Sequence, residues 1–218
     1  MTTHINFRSA RSPISVIIMN AIVLSVCLAI VIAGCGLKSD RPMVDSANQE
    51  LREIRSPDIL FVPTPQEVVD KMLELAEVTK DDLIYDLGCG DGRIVVTAAK
   101  KYGCRGIGYD IDPERILESL ENVRNNNVQK LVRIEQKDIF TLDLSDASVI
   151  SLYLLASLNV KLIPQLEKLK PGTRIVSHDF AMQGIVTPDT TITVNSSGYG
   201  SHTVHLWIAP LKRNDMKY

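Results

Sequence analysis

Three glycines at alternate positions, Gly88, Gly90 and Gly92, separate a short apolar run from a helical one, and they restrict the fold more than any other feature. The run over 83–87 has the length of a buried strand, and apolar residues resume at helical spacing over 94–101. A strand that turns through glycines straight into a helix is the opening unit of an α/β sheet. The rest of the chain repeats the alternation. A strand is expected at 105–110, and Asp112-Pro113-Glu114 opens a helix with a capping Asp and a first-turn Pro. The apolar face of that helix reads as Ile116, Leu117, Leu120 and Val123. Strands follow near 132–135 and 147–153, a helix near 160–169, and a strand over 173–177 after the Lys170-Pro171-Gly172 turn. Segments 190–194 and 203–208 flank a Gly/Ser-rich stretch and read as a hairpin. Ahead of the first strand, Thr64-Pro65-Gln66-Glu67 has the pattern of a capping box, with Val68, Val69, Met72, Leu73 and Ala76 at helical spacing behind it. The expected fold is α/β: an open, doubly wound, mostly parallel sheet made mixed by a C-terminal antiparallel hairpin.

The N-terminus is different in kind. Residues 12–37 carry no charge, and 14–34 are nearly continuously apolar. About 20 such residues are enough to span a bilayer as a helix. Arg8 and Arg11 precede the run, and Ile32-Ala33-Gly34-Cys35 at its end resembles the lipobox of bacterial lipoproteins. Residues 1–37 therefore read as a signal peptide or membrane anchor formed by a hydrophobic helix, 38–60 as a polar linker, 61–212 as the folded domain and 213–218 as a tail. Lys38, Arg41, Arg52 and Arg55 lie on the C-terminal side of the run, a slight basic excess that favours a membrane-attached protein with its domain facing the cytoplasm. A lipoprotein on the outer side is the alternative.

With 24 basic against 26 acidic side chains the chain has no basic excess for a nucleic acid. Removing 1–37 takes away two basic side chains and no acidic one, leaving 22 against 26. Cys27, Cys35, Cys89 and Cys104 are irregularly spaced, so a disulfide framework and a Cys/His zinc site are not indicated, and no metal is expected. Cys89 reads as a small loop residue and Cys104 as packing.

The loop Asp86-Leu87-Gly88-Cys89-Gly90-Asp91-Gly92-Arg93 is where the chemistry should fall, because ligands of open α/β sheets bind at the carboxyl ends of the strands. It is not a dinucleotide fingerprint, since the sixth position of G-x-G-x-x-G is Arg93, and it has no Gly-Lys-Ser/Thr ending for a nucleotide. Acidic residues recur instead. Asp86 can reach an ammonium or sulfonium group. Asp110, 18 residues past Gly92, can accept both hydroxyls of a ribose. Asp138 can accept from an adenine amino group, with Ile139 and Phe140 as apolar neighbours. Acid at the ends of three successive strands is what S-adenosylmethionine requires.

With these motifs the chain resembles the class I, seven-strand S-adenosylmethionine-dependent methyltransferases: Asp86 to Arg93, Asp110, Asp138-Ile139 and Leu169-Lys170-Pro171-Gly172 all fit their pattern. A closer resemblance, to the protein-lysine methyltransferase family with its small archaeal and membrane-anchored mitochondrial members, covers about 61–208. It rests on Phe61-Val62-Pro63-Thr64-Pro65, Tyr85 to Arg93, Leu169 to Thr173 and Val176-Ser177-His178-Asp179-Phe180. The resemblance implies that Phe61, Pro63 and Thr64 belong to a segment folding over the cofactor, and that Gly88, Gly90, Gly92 and Ile111 join the three acids in holding it.

Tyr153-Leu154-Leu155-Ala156-Ser157 lacks the N/D-P-P-Y/F signature of enzymes acting on bases or glutamine amides, and its apolar character suits a sleeve around a lysine stem. A lysine must lose a proton before it accepts a methyl group, and Tyr153, His178 and Asp179 are the candidates to take or relay it. The expected partner is a protein lysine. A small-molecule or RNA acceptor, or a tethered cofactor-binding module without catalysis, are the rival readings.

Overall fold

The computed structural model describes residues 61–214; the apolar run, the linker and the last four residues lie outside them, and so does the reading of an N-terminal helix. Among the described residues no helix is long and apolar enough to cross a membrane. In chain order the elements are α1 (Gln66–Leu75), β1 (Leu83–Leu87), α2 (Arg93–Tyr102), β2 (Arg105–Asp110), α3 (Pro113–Asn125), β3 (Val132–Gln136), a 3-10 turn (Ile139–Thr141), β4 (Val149–Leu152), α4 (Ala156–Leu166), β5 (Arg174–His178), β6 (Thr190–Ser196) and β7 (Gly200–Ile208).

The strands form a single seven-stranded sheet in the order β3-β2-β1-β4-β5-β7-β6. Strands β1 to β5 are parallel, while β7 is antiparallel to both β5 and β6. Successive side chains on a strand face opposite ways, and both faces are apolar here. Ile84, Val149, Val176 and Val204 pack on one side with Val68, Met72 and Leu73 of α1 and Val95 and Ala99 of α2. Tyr85, Leu87, Ile150, Leu152, Ile175 and Trp207 pack on the other with Leu162, Ile163 and Leu166 of α4. That two-sided burial is why the parallel strands read as continuous apolar runs.

The chain runs outward through β1, β2 and β3, then returns to place β4 on the other side of β1. At this reversal the connections after β1 and β4 leave in opposite directions and open a crevice at the strands' carboxyl ends. Register places Asp86 of β1 between Gly108 of β2 and Ser151 of β4.

Three local expectations are corrected. The capping box does not form: the cap position is Pro65, without a side-chain cap. Thr64 Oγ1 lies instead 3.2 Å from His178 Nδ1, and Glu67 Oε2 accepts from Ser196 Oγ at 3.0 Å, so tertiary partners outcompete the local pair. On α3, Leu117 is 68% exposed, while Ser119 and Val123 are the buried positions. The fourth helix begins at Ala156, with Leu155 in the cap position and no side-chain cap to mark the start in sequence. Pairing also extends to Arg213, which bridges to Val186 and pairs with Glu167.

Candidate active site

The connection from β1 to α2 is held by its own backbone. Gly88 N and Cys89 N both donate to Tyr109 O, at 2.8 and 2.9 Å, and Asn122 Nδ2 of α3 donates to Asp91 O at 3.0 Å. Gly90 has φ +55°, and a Cβ there would lie 2.1 Å from Cε2 of Phe61. Glycine is thus required both for the turn and for the ring laid on it. The segment ahead of α1 is pinned over this loop: Arg93 Nη1 donates to Thr64 O at 2.8 Å, and the Arg115 guanidinium stands 5.0 Å from the centre of the Phe61 ring.

The strand ends surround a cleft of about 260 Å³, far more than the roughly 30 Å³ a water occupies. Asp86, Asp110 and Asp138, from the ends of β1, β2 and β3, all line it, with Gly88, Ile111 and Ile139 beside them. Phe61 and Thr64 close it from the N-terminal side, and Tyr153, just after β4, lines it too. Pro63, Gly90, Gly92, His178 and Asp179 are not part of that wall. Gly90 and Gly92 act one step back, shaping the loop. Arg115, Lys137, Leu158 and Phe180 line the cleft without having been singled out in sequence. Only Phe180 had a signal, standing within the His178-Asp179-Phe180 motif.

The carboxylates differ sharply. Asp86 is fully buried, accepts from Ser151 Oγ at 2.7 Å through Oδ1, and its Oδ2 has no hydrogen-bond partner. Burial, reinforced by the nearby Asp110 and Asp91 charges, pushes its carboxyl up to about 7 against the pull of the Ser151 hydroxyl. Asp110 is held by two backbone amides: Gly90 N donates to Oδ2 at 2.8 Å and Asp112 N to Oδ1 at 3.0 Å. Each oxygen keeps a second acceptor site, the arrangement two vicinal hydroxyls need. Asp138 accepts from Phe140 N at 3.0 Å and caps the 3-10 turn that carries Ile139. A buried carboxylate oxygen awaiting a partner, a paired acceptor for a diol and a glycine loop admitting close approach together fit S-adenosylmethionine.

The three proton-handling candidates separate. Tyr153 faces the cleft, and burial, then the Asp179 charge, push its hydroxyl above its ordinary value. His178 lies behind it, fully buried, its ring centre 3.9 Å from that of Tyr153. Asp179 sits further back, its Oδ1 accepting from Thr203 N at 2.8 Å. His178 Nε2, Asp179 Oδ2 and His202 Nδ1 form a tight group on this far side. Burial pushes the His178 imidazole down, to about 4. Cys89 and Cys104 are buried free thiols, both pushed up by burial, which is the opposite of an activated nucleophile.

The family described as "ANTKMT methyltransferase domain" matches residues 86–190. A protein-lysine N-methyltransferase of Saccharolobus islandicus is 46% identical over 154 residues, which is 70% of this chain and 94% of that protein. A lysine N-methyltransferase of ATP synthase from Homo sapiens is 26% identical over 121 residues, and the match spans about half of it, 51%. Among solved structures, an RNA methyltransferase from Salinibacter ruber in complex with S-adenosyl-L-homocysteine is similar at a TM-score of 0.64 and 48% identity. The similarity covers 71% of this chain and 97% of that one.

Proposed function

The chain belongs to the protein-lysine N-methyltransferase family, and on that premise we propose that it methylates the side-chain nitrogen of a lysine in a protein acceptor, with S-adenosylmethionine as donor. When bound, that donor supplies a methyl group activated by a sulfonium, so the chain's own residues need to align two groups and exclude water. Asp110 would hold the ribose diol, Asp138 and Ile139 would hold the adenine, and Asp86 would answer the positively charged group. The observation that carries the acceptor reading is the apolar part of the lining. Tyr153, Leu154, Leu155, Leu158 and Phe180 make an aromatic and aliphatic sleeve in the same cleft as the acids. A lysine entering it is desolvated, which lowers its pKa and frees the lone pair that attacks. The Tyr153 hydroxyl, pushed above its ordinary value by burial, stays protonated and would orient an amine that has given its proton to solvent before entering the sleeve.

An RNA acceptor is the second reading, favoured by the similarity to the RNA methyltransferase from Salinibacter ruber. The rim of the cleft speaks against it. Arg93, Arg115 and Lys137 are its cations, and each is paired with a carboxylate: Asp91 at 2.5 Å, Glu118 at 2.5 Å and Glu135 at 2.7 Å. A groove for single-stranded RNA needs cations that face phosphates. Incubating the purified enzyme with methyl-labelled S-adenosylmethionine and separate protein and RNA extracts tests the assignment. Label recovered as methyl-lysine after acid hydrolysis is the expected result; label confined to nuclease-sensitive material would transfer the assignment to RNA.

We further propose that residues 1–37 attach the enzyme to a membrane with the domain on the cytoplasmic side. The uncharged stretch over 12–37 and the basic residues after it support this, as does the origin of the methyl donor in the cytoplasm.

A further inference from the structure

Behind Tyr153 three donor atoms stand in mutual contact. His178 Nε2 is 3.0 Å from His202 Nδ1 and 3.3 Å from Asp179 Oδ2, and His202 Nδ1 is 3.1 Å from the same Asp179 oxygen. His202 Nδ1–H can donate to the carboxylate, but one such hydrogen bond leaves the remaining edges of the triangle without a proton of their own. If one ring nitrogen carries the proton, the other meets the carboxylate lone pair against lone pair. If both carry protons, the two N–H groups oppose each other across the shortest edge. A cation placed over the three atoms takes a lone pair from each and removes the conflict. A first-row divalent metal about 2.0–2.1 Å from each donor would see them roughly 90–110° apart, within the tetrahedral-to-octahedral range.

Two of the three ligands are supported from behind, while His202 Nε2 is buried without a hydrogen-bond partner. With His178 binding through Nε2, its Nδ1–H is left to donate to Thr64 Oγ1, 3.2 Å away. Asp179 is a non-glycine residue at φ +56°, held there by its amide donating to Thr203 O at 2.7 Å and by Thr203 N donating to its Oδ1 at 2.8 Å. A partner for the second polar atom, as His178 and Asp179 both have, is the usual device that orients metal-binding side chains. The strained backbone turns Oδ2 toward the two rings. His178 is fully buried, and the side chains of His202 and Asp179 are 14% and 31% exposed, which leaves an approach from the Asp179 side.

We propose that His178, Asp179 and His202 form a binding site for a single zinc-class divalent cation, distinct from the cofactor cleft. The ion would join the end of β5 to β7 and fix the imidazole on which the Tyr153 ring is stacked. The site is structural rather than catalytic, because none of the three ligands lines the cleft; His178 reaches it only through Thr64 and Tyr153.

The test uses the full-length protein, stripped with a chelator, loaded with Zn(II) and desalted. One zinc per chain retained, with a rise in melting temperature on loading, is the expected result. His202→Ala and Asp179→Asn should each abolish both the retention and the rise. Asp179→Asn keeps the carbonyl that accepts from Thr203 N, so it decides the matter if His202→Ala melts early in chelator. No stoichiometric zinc in the wild type, or unchanged retention in a variant that melts normally without metal, would overturn the site. Retention in both variants would place the zinc elsewhere and overturn the site.

Discussion

Asp86 and Asp110 show how one side-chain type takes two roles through its surroundings. Asp86 is buried with one oxygen unpartnered, and its carboxyl sits near 7, above its ordinary 3.8. Between those values the folded chain holds a proton that the unfolded chain has released, so this residue costs stability as pH rises toward 7. A cationic ligand prefers the ionised form. Cofactor affinity should therefore fall below pH 7, by up to about tenfold per pH unit, and Asp86→Asn should bind weakly without that slope. Calorimetry across the range measures both, and a pH-independent wild type would refute the role of Asp86. Asp110 is different because two backbone amides already fix it. Asp110→Ala should weaken cofactor binding by about 1–3 kcal/mol, leaving ribose hydroxyls unpaired and releasing the Gly90 amide. Unchanged affinity in a folded Asp110→Ala protein would remove this residue from the site.

At the scale of elements, the parallel strands are tied together at the end opposite the cleft. Asp82, just before β1, pairs with Arg174 of β5 and accepts from Ser148 Oγ, ahead of β4, at 2.6 Å and from Thr79 N at 2.7 Å. Burial pushes this carboxyl up, but the Ser148 hydroxyl, the Thr79 amide and the Arg174 guanidinium together hold it below its ordinary value. A lowered folded pKa gives stability that is present above 3.8 and disappears as the pH falls through the folded value. Arg174→Ala strands a buried carboxylate and should cost about 1–3 kcal/mol at neutral pH. Urea melts of the two proteins should converge in acid. A difference that persists undiminished there would mean Arg174 acts by packing and not by charge. The same element logic explains α1. Its N-terminus answers to β5 through Thr64 and to β6 through Glu67, so the segment that covers the cleft is set by the far half of the sheet.

For the whole molecule, the prediction concerns the membrane. Alkaline phosphatase and green fluorescent protein fused after Tyr218 report opposite compartments. Fluorescence in membrane fractions with an inactive phosphatase is the expected pair. An active phosphatase, together with loss of membrane attachment in Cys35→Ala, would make the chain an exported lipoprotein. The domain's mixed sheet bears on the rest of the design. The antiparallel β7 inserts between β5 and β6, so residues late in the chain return beside the carboxyl end of β5. Trp207, fully buried on β7, sits in the core shared with α4 and ties this addition to the parallel part.

The amino-acid sequence by itself determined what depends on local order. Strand and helix periods alternate because both faces of a parallel sheet are covered. Glycines 88, 90 and 92 mark the loop, and acids follow three successive strands, each within a few residues of its own strand end. The cofactor half of the cleft was legible for that reason. Only the tertiary structure decided the partners that meet across the sheet. Thr64 and Glu67 had the spacing of a capping box, yet their side chains found His178 and Ser196 more than a hundred residues away. His178 and Asp179 read as companions of Tyr153 at the reaction centre. In the structure neither lines the cleft: His178 packs against the Tyr153 ring, and both contact His202. His202 carried no signal, because β5 and β7 are distant segments and nothing near His202 in the chain names the β5 residues it will meet.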